Sequence, residues 1–183
     1  MQRSIFTEDH EAFRETARRF VETEIAPHHE RWERDGIVPR ELWTKAGALG
    51  LLCMDVPEEY GGGGSDDFRF NYVLTEELMR AGASGPGFIL HNDTIAPYFV
   101  GYATEEQKQR FLPGMASGEL ITAIAMTEPG AGSDLAGVRT TAVRQDDGSY
   151  VLNGTKTFIT NGIHSDVVIV VAKTDPAAKH AGI

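Results

Sequence analysis

The chain has 183 residues, of which 41% are hydrophobic, so it can bury a sizeable core in one or two domains and is not wholly disordered. Its formal net charge of −10 comes from 27 acidic and 17 basic residues, and the sequence shows no basic patch of the kind that binds duplex DNA. The lone cysteine excludes an intrachain disulfide, and no apolar run reaches the roughly 20 residues that a membrane-spanning helix needs.

The start of the chain, Met1–Thr7, has neither the apolar core of a signal peptide nor an Arg/Ser-rich transit stretch, so we expect a cytoplasmic protein. Thr7 can cap a first helix whose opening turn carries Glu8 and Asp9, which the positive end of a helix dipole favours. We expect Pro27 to end or kink this helix. The apolar face of the helix would consist of Phe13, Ala17, Phe20 and Val21.

Two adjacent histidines, His28 and His29, lie where the helical pattern resumes after Pro27. Adjacent side chains on a helix point roughly 100° apart, so these two cannot easily share one metal ion. We therefore expect a solvated helix surface rather than a metal site. Cys53 lies in the apolar run Leu51–Met54, which favours a packed thiol over a nucleophile or a metal ligand.

A short helix and a glycine-rich connection are predicted next. Pro39 suits the first turn of the helix, and Gly50 can end it in left-handed geometry. The four glycines Gly61–Gly64 lack the Lys-Ser/Thr ending of a phosphate-binding P-loop and follow no clear strand. We interpret them as a flexible connection.

Three more helices complete the helical part of the chain. Residues 67–82 and 86–101 are predicted as two apolar-rich helices. Thr104–Gln107 has the pattern of a capping box and opens a helix through Leu112. Pro113, which a glycine follows, is expected to disrupt that helix.

Short β-branched runs replace the helical pattern after Glu119. They predict strands at Leu120–Ile124, Val138–Val143, Tyr150–Leu152 and 167–172, the last of them buried. A hairpin turn is predicted at Asp146–Ser149. This order gives an α+β fold class, with a helical domain over residues 1–118 and a β-domain over residues 119–183.

Two segments carry the chemistry. The first, Ala125–Gly137, follows a predicted strand and contains three glycines, two hydroxyls and two carboxylates in one turn-rich connection. Glycines let backbone amides approach a ligand closely, and Thr or Ser adds a directed donor, which suits a large, polar, anionic ligand. The second is Tyr150–Gly162. Taken alone, a Gly/Ser/Asp stretch is more often a plain surface loop.

Together these two segments closely resemble the flavin-contacting segments of the acyl-CoA dehydrogenase family, flavoenzymes that oxidise fatty acyl thioesters. The chain is most similar to the long-chain members in Val21–His29, Ser84–Phe88 and Asp166–Ala172. The resemblance implies an all-α domain followed by the start of an antiparallel β-domain. It covers the N-terminal half of a family member, so the β-domain is expected to be incomplete and the C-terminal helical bundle absent.

The resemblance also implies a site for FAD and acyl-CoA. Met126 and Thr127 would contact the isoalloxazine ring, and Gly132 and Ser133 would lie where the cofactor and CoA chains pass, with Ser133 reaching both. The residues expected on the other side of the ring are Phe158, Ile159 and Thr160, with the Thr160 hydroxyl near N5. Gly85, Pro86 and Gly87 open the helix that lines the acyl pocket in relatives, and their small volume would leave a longer cavity. A simple helix entry is the alternative for these three.

Two positions depart from many family members. Phe158 stands where many relatives carry Trp. Phenylalanine keeps the aromatic wall but lacks the indole N–H donor. Ile124 stands where some relatives carry Tyr, so a hydroxyl contact is missing.

The implied reaction is FAD-dependent α,β-dehydrogenation of long-chain acyl-CoA to trans-2-enoyl-CoA in fatty acid β-oxidation. In the family the catalytic base is a Glu from the C-terminal helical domain, so we predict no catalytic residue in this chain, and no metal ligand. Glu128 lies in the cofactor turn and is not expected to be that base, and Asp134 is expected to cap the turn. Expected partners are acyl-CoA, electron transfer flavoprotein as acceptor, and further copies of the chain in a tetramer or dimer.

Two other functions stay open at the level of sequence. Acyl-CoA oxidases and related flavin monooxygenases share this scaffold and pass electrons to oxygen. A truncated, non-catalytic module that binds an acyl chain or a protein partner is the third possibility.

Overall fold

The computed structural model describes residues 5–175, 177–178 and 182. Its internal contacts divide the chain into two compact units, Met1–Ile121 and Thr122–Ile183, whereas the boundary predicted from the sequence lies between residues 118 and 119. Helices fill the first unit and strands the second, which confirms the α+β order. Residues 1–4, part of the start on which the cytoplasmic expectation rests, lie outside the described residues.

The first unit contains six α-helices, two π-helical turns and a short 3-10 helix within the described residues. The α-helices are α1 (Glu8–Phe20), α2 (Ala26–Asp35), α3 (Glu41–Ala48), α4 (Arg69–Arg80), α5 (Ala96–Tyr102) and α6 (Glu105–Ser117), with π turns at Val21–Ile25 and Leu90–Ile95 and the 3-10 helix at Glu58–Tyr60. No described helix is long and apolar enough to cross a membrane.

Both π turns end at the isoleucine of the same tripeptide, Ile-Ala-Pro. The amide of Ala26 donates to the Val21 carbonyl and that of Ala96 to the His91 carbonyl, each five residues back. Proline lacks an N–H and its ring crowds the carbonyl four residues earlier, so a wider turn before it lets the helix continue. Pro27 therefore does not end the first helix, and the predicted helix 86–101 contains a π turn that its apolar pattern does not reveal.

Two further predictions are wrong. Helix α6 runs through Pro113, which is exposed, and ends at Ser117, where Gly118 caps it with φ 77°. Water can satisfy the carbonyl that an exposed proline leaves unpaired. The glycines at 61–64 are a tightly packed turn rather than a flexible connection, because a Cβ on Gly62 would lie 2.2 Å from the Val56 carbonyl oxygen.

The core of the first unit is built by helices and by the loop after α3. Trp43 packs edge-on against Phe88 at 4.8 Å between ring centroids. Cys53 is fully buried, as predicted. The expected solvated surface is wrong for His29, which is buried and whose Nε2 accepts a hydrogen bond from the Gly85 amide at 3.1 Å.

The strands of the second unit form two small sheets. Strands β1 (Thr122–Ala125) and β4 (Val167–Val170) pair in parallel, and β2 (Thr141–Arg144) pairs with β3 (Tyr150–Asn153) in an antiparallel hairpin. Among the strands of the described residues, the antiparallel pairing expected of the β-domain is found between β2 and β3, whereas β1 and β4 run parallel. The expected burial of the last strand is incomplete, because Val168 in β4 is 42% exposed.

Candidate functional site

The chain leaves the buried strand β1 and forms a compact turn, which we call the glycine turn (Met126–Gly137). Glu128 and Ala131 exchange two backbone hydrogen bonds of 2.8 and 3.2 Å, which close the turn at its base. Gly130 and Gly132 lie on its exposed rim, and a Cβ at either position would meet open space. The turn therefore presents bare backbone to its surroundings.

The carboxylate of Glu128 holds the glycine turn together. It is buried and accepts four hydrogen bonds, from the Arg139 amide (2.7 Å), the Thr140 amide (2.9 Å), the Thr140 hydroxyl (2.5 Å) and the Lys156 ammonium (3.0 Å). Burial acts to raise the pKa of this carboxyl, but the hydrogen bonds from Thr140, Arg139 and Lys156 outweigh it and lower the pKa to about 2. A carboxylate that is so fully occupied is a structural anion, not a general base.

A second stretch of chain, the aromatic segment (Lys156–Asn161), is fastened to the start of the glycine turn. Lys156 Nζ donates to the Met126 carbonyl and to Glu128 Oε1, both at 3.0 Å. The Thr157 amide donates to the Thr127 carbonyl at 2.9 Å. These three bonds join the two segments in which the flavin contacts are predicted.

The middle of the aromatic segment is exposed and its backbone is unusual. Phe158 is 92% exposed and has φ 56°, and Asn161 has φ 64°. Left-handed backbone is costly for a residue with a Cβ and is enriched at binding sites. Asn161 fixes the far end of the segment, because its Nδ2 donates to the Thr122 carbonyl at 3.0 Å.

The side chains of the two segments fit a flat, polar ligand such as a flavin. The hydroxyls of Thr127, Ser133 and Thr160 make no hydrogen bond with any other described residue, so they can serve a ligand. The exposed Phe158 ring offers an apolar face. The predicted contacts Met126, Thr127, Phe158, Ile159 and Thr160 lie on the joined segments, and Gly132 and Ser133 lie on the exposed part of the glycine turn.

The three residues predicted to line the acyl pocket lie in the first unit. The Gly85 amide donates to His29, and a Cβ on Gly85 would lie 3.1 Å from His29 Nε2. Pro86 is buried, and Gly87 has φ 70°. Local structure therefore accounts for both glycines, through the close approach of His29 at Gly85 and the left-handed backbone at Gly87. Their small size is not by itself evidence for a long cavity.

Cys53 and His91 form a second polar pair, deep in the first unit. Cys53 Sγ lies 3.6 Å from His91 Nε2, which is also 3.1 Å from the Met115 carbonyl oxygen. Burial raises the pKa of the Cys53 thiol and lowers the pKa of His91 to about 4, so both groups are neutral near pH 7. No cluster of three or more metal-ligating side chains was found among the described residues.

Sequence reasoning missed the structural roles of Lys156 and Asn161. Lys156 and Glu128 are 28 residues apart, and no spacing rule connects a turn residue with a residue after a hairpin. The available signal was a single basic residue, Lys156, in the second segment and two acidic residues, Glu128 and Asp134, in the first.

Comparison with known proteins gives consistent matches to both units. Residues 7–119 match the family model described as "Acyl-CoA dehydrogenase, N-terminal domain", and residues 123–183 match "Acyl-CoA dehydrogenase, middle domain". The long-chain specific acyl-CoA dehydrogenase of Sus scrofa, named as mitochondrial, is 51% identical over 177 residues, which are 97% of this chain and 41% of the pig protein.

Solved structures agree in both fold and sequence. A crystal structure of acyl-CoA dehydrogenase from Geobacillus kaustophilus has a TM-score of 0.92 and 53% identity, and the match covers 98% of this chain and 47% of that one. A glutaryl-CoA dehydrogenase from Mycobacterium smegmatis in complex with FADH2 has a TM-score of 0.83 and 35% identity, over 93% of this chain and 44% of that one. The chain thus spans somewhat less than half the length of these relatives.

Proposed function

The chain belongs to the acyl-CoA dehydrogenase family, and from this premise we propose that it forms the flavin-facing part of an FAD-dependent long-chain acyl-CoA dehydrogenase. The reaction would be α,β-dehydrogenation of the acyl thioester to the trans-2-enoyl-CoA, a step of fatty acid β-oxidation. The observation that carries the proposal is the 51% identity to a long-chain specific enzyme over 97% of this chain.

The FAD-binding residues we propose are those on the two joined segments. Met126 and Thr127 would contact one side of the isoalloxazine ring, and the other side would meet Phe158, Ile159 and Thr160. Support comes from the three hydroxyls without a partner in the described part of the chain, from the exposed Phe158 ring and from the open rim at Gly132. Gly132 and Ser133 would lie beside the cofactor and the CoA chain.

When bound, FAD supplies the acceptor for the hydride that leaves Cβ of the acyl chain. The residues of this chain orient the ring and exclude water from one side of it. Glu128 does not take the α-proton, because four hydrogen bonds occupy its carboxylate. We propose that the base is a Glu outside these 183 residues, as the family resemblance implies.

Long-chain specificity is the finer part of the proposal. The family includes relatives named for other thioesters, such as the glutaryl-CoA dehydrogenase of M. smegmatis at 35% identity. The higher identity to the long-chain enzyme favours a long acyl tail. We keep Gly85, Pro86 and Gly87 as proposed pocket residues, although leucine at Gly87 would strain the left-handed backbone and is not a clean test of pocket size.

The partners follow from the same premise. We propose electron transfer flavoprotein as the electron acceptor and a homo-oligomer, tetramer or dimer, as the assembly. The proposed location is cytoplasmic, whereas the pig relative is named as mitochondrial. Cell fractionation with an antibody to the protein decides between the two locations.

Acyl preference is measured on the complete protein. We expect kcat/KM for palmitoyl-CoA to exceed that for octanoyl-CoA, because each buried methylene contributes about 0.8 kcal/mol to binding. Glutaryl-CoA and isovaleryl-CoA serve as controls for polar and branched tails. A preference for either control would overturn the long-chain assignment, and rapid turnover with oxygen as the only acceptor would favour an oxidase.

A further inference from the structure

Lys156 and Glu128 form a buried ion pair between the two segments that face the proposed ligand. The Nζ–Oε1 distance is 3.0 Å, and the side chains are 12% and 6% exposed. Lys156 Nζ also donates to the Met126 carbonyl, one residue before Thr127. We call these two bonds the Lys156 clamp.

A buried ion pair is a costly way to join two loops. Removing both charges from water costs several kcal/mol, and apolar replacements of similar volume are often equally stable or more stable. Stability alone therefore does not account for a lysine here. The pair adds geometric specificity. An ammonium between a carbonyl and a carboxylate fixes the angle and the register of the two segments relative to each other.

The clamp bears directly on the exposed residues of the aromatic segment. Phe158 lies two residues after Lys156 in left-handed geometry, a conformation that persists only where its surroundings fix it. The Thr157–Thr127 backbone bond and the Asn161–Thr122 bond hold the same segment at its start and its end. Lys156 is the one side chain that reaches from this segment to both Met126 and Glu128 within the described residues.

We propose that Lys156 and Glu128 are positioning residues for FAD. Their ion pair sets the register of Phe158–Thr160 against Met126–Thr127, and so sets the affinity and reduction potential of the bound flavin without touching it. The inference rests on the proposed function, because it assumes that the two segments hold FAD.

The test compares variants of the complete protein. In apoprotein reconstituted with FAD, we expect Lys156→Met to raise the dissociation constant at least about tenfold, which corresponds to about 1.4 kcal/mol, and to shift the flavin reduction potential. Glu128→Gln, which keeps the shape of the side chain, should act in the same direction. The double variant should be no worse than the more affected single variant, because the two residues act as one unit. Lys156→Arg should restore most of the affinity.

Arg144→Met is the matched control. Arg144 lies in strand β2 of the same unit, at an exposed position outside the glycine turn and the aromatic segment. This control should leave FAD affinity and potential unchanged. If Lys156→Met does not fold, Glu128→Gln and Lys156→Arg carry the measurement.

The outcomes separate this inference from the proposed function. Wild-type protein that binds no FAD would overturn both. Wild-type protein that binds FAD, together with Lys156 and Glu128 variants that keep its affinity and potential while the melting temperature of the apoprotein falls, would overturn the clamp alone. Additive effects of the two substitutions would also contradict it.

Discussion

At the scale of single residues, the site is defined by side chains whose roles are not visible in their residue types. Glu128 has the chemistry of a general base, yet its four hydrogen bonds and a pKa lowered to about 2 make it a structural anion. Thr127 and Thr160 could be ordinary strand residues, yet neither hydroxyl has a hydrogen-bond partner among the described residues. Contacts with residues 11 to 28 positions further along the chain decide the role of Glu128, whereas the FAD-binding roles of Thr127 and Thr160 stay a prediction.

Asn161 offers a test at this scale, because two properties can be separated there. Its Nδ2 holds the Thr122 carbonyl, and its φ of 64° disfavours residues with a Cβ. We expect Asn161→Gly and Asn161→Ala to lose the hydrogen bond alike. The alanine variant should be less stable than the glycine variant by about 1 kcal/mol, because it also pays for left-handed backbone.

Chemical denaturation of the two variants measures this difference. Asn153 in the exposed strand β3 is the control, since its φ is not positive and glycine there should be less stable than alanine. The same order of stability at both positions would mean that left-handed strain at Asn161 is not the deciding factor.

At the scale of elements, the sequence predicts what local rules govern. The capping box at Thr104 and the left-handed end at Gly50 depend on neighbours a few residues away, and both are present. The effect of Pro113 depends on its exposure to solvent, and that of the glycines at 61–64 on close packing by Val56. Local sequence rules reveal neither. The parallel pairing of β1 with β4 depends on distant chain and has no local signal.

An ion network joins helices α1 and α4 and gives the stability of the first unit a pH dependence. Glu77 in α4 is buried and accepts hydrogen bonds from Arg18 Nε at 2.9 Å and from Arg14 Nη1 at 3.2 Å. The bond from Arg18 is the largest influence on the pKa of Glu77, and with Arg14 it outweighs burial and lowers that pKa. A carboxyl group whose pKa is lower in the folded than in the unfolded protein stabilises the fold at any pH above its unfolded-state pKa. This stabilisation is lost as the pH falls through the pKa of the folded state.

We therefore expect Glu77→Gln to destabilise the protein by about 2–3 kcal/mol at pH 7. The advantage of the wild type should shrink once pH falls below the usual carboxyl range. Glu30→Gln removes an exposed pair with Arg34 and should change stability little at any pH. Melting temperatures of the three proteins across an acidic pH series measure the effect, and a constant gap between wild type and Glu77→Gln would contradict it.

At the scale of the whole molecule, the chain corresponds to less than half the length of its relatives. It spans 41% of the pig relative and 47% of the Geobacillus structure, and both of its units match the family. The hairpin strand β3 exposes Tyr150, Val151 and Leu152, each by more than half. The order of helical and β patterns predicts the fold class, and Ala125–Gly137 together with Tyr150–Gly162 predicts the family by resemblance. Substrate length was not predictable, because the glycines taken as evidence for it have local structural reasons.

The most direct test of the account is anaerobic mixing of the complete purified protein with palmitoyl-CoA while the flavin absorbance is recorded. We predict that the protein contains one FAD per chain and that the acyl thioester bleaches the oxidised flavin band, because on the proposed function the joined segments would hold the cofactor and the substrate would reduce it. Protein that retains no FAD after reconstitution, or bound FAD that no acyl-CoA reduces, would contradict the account.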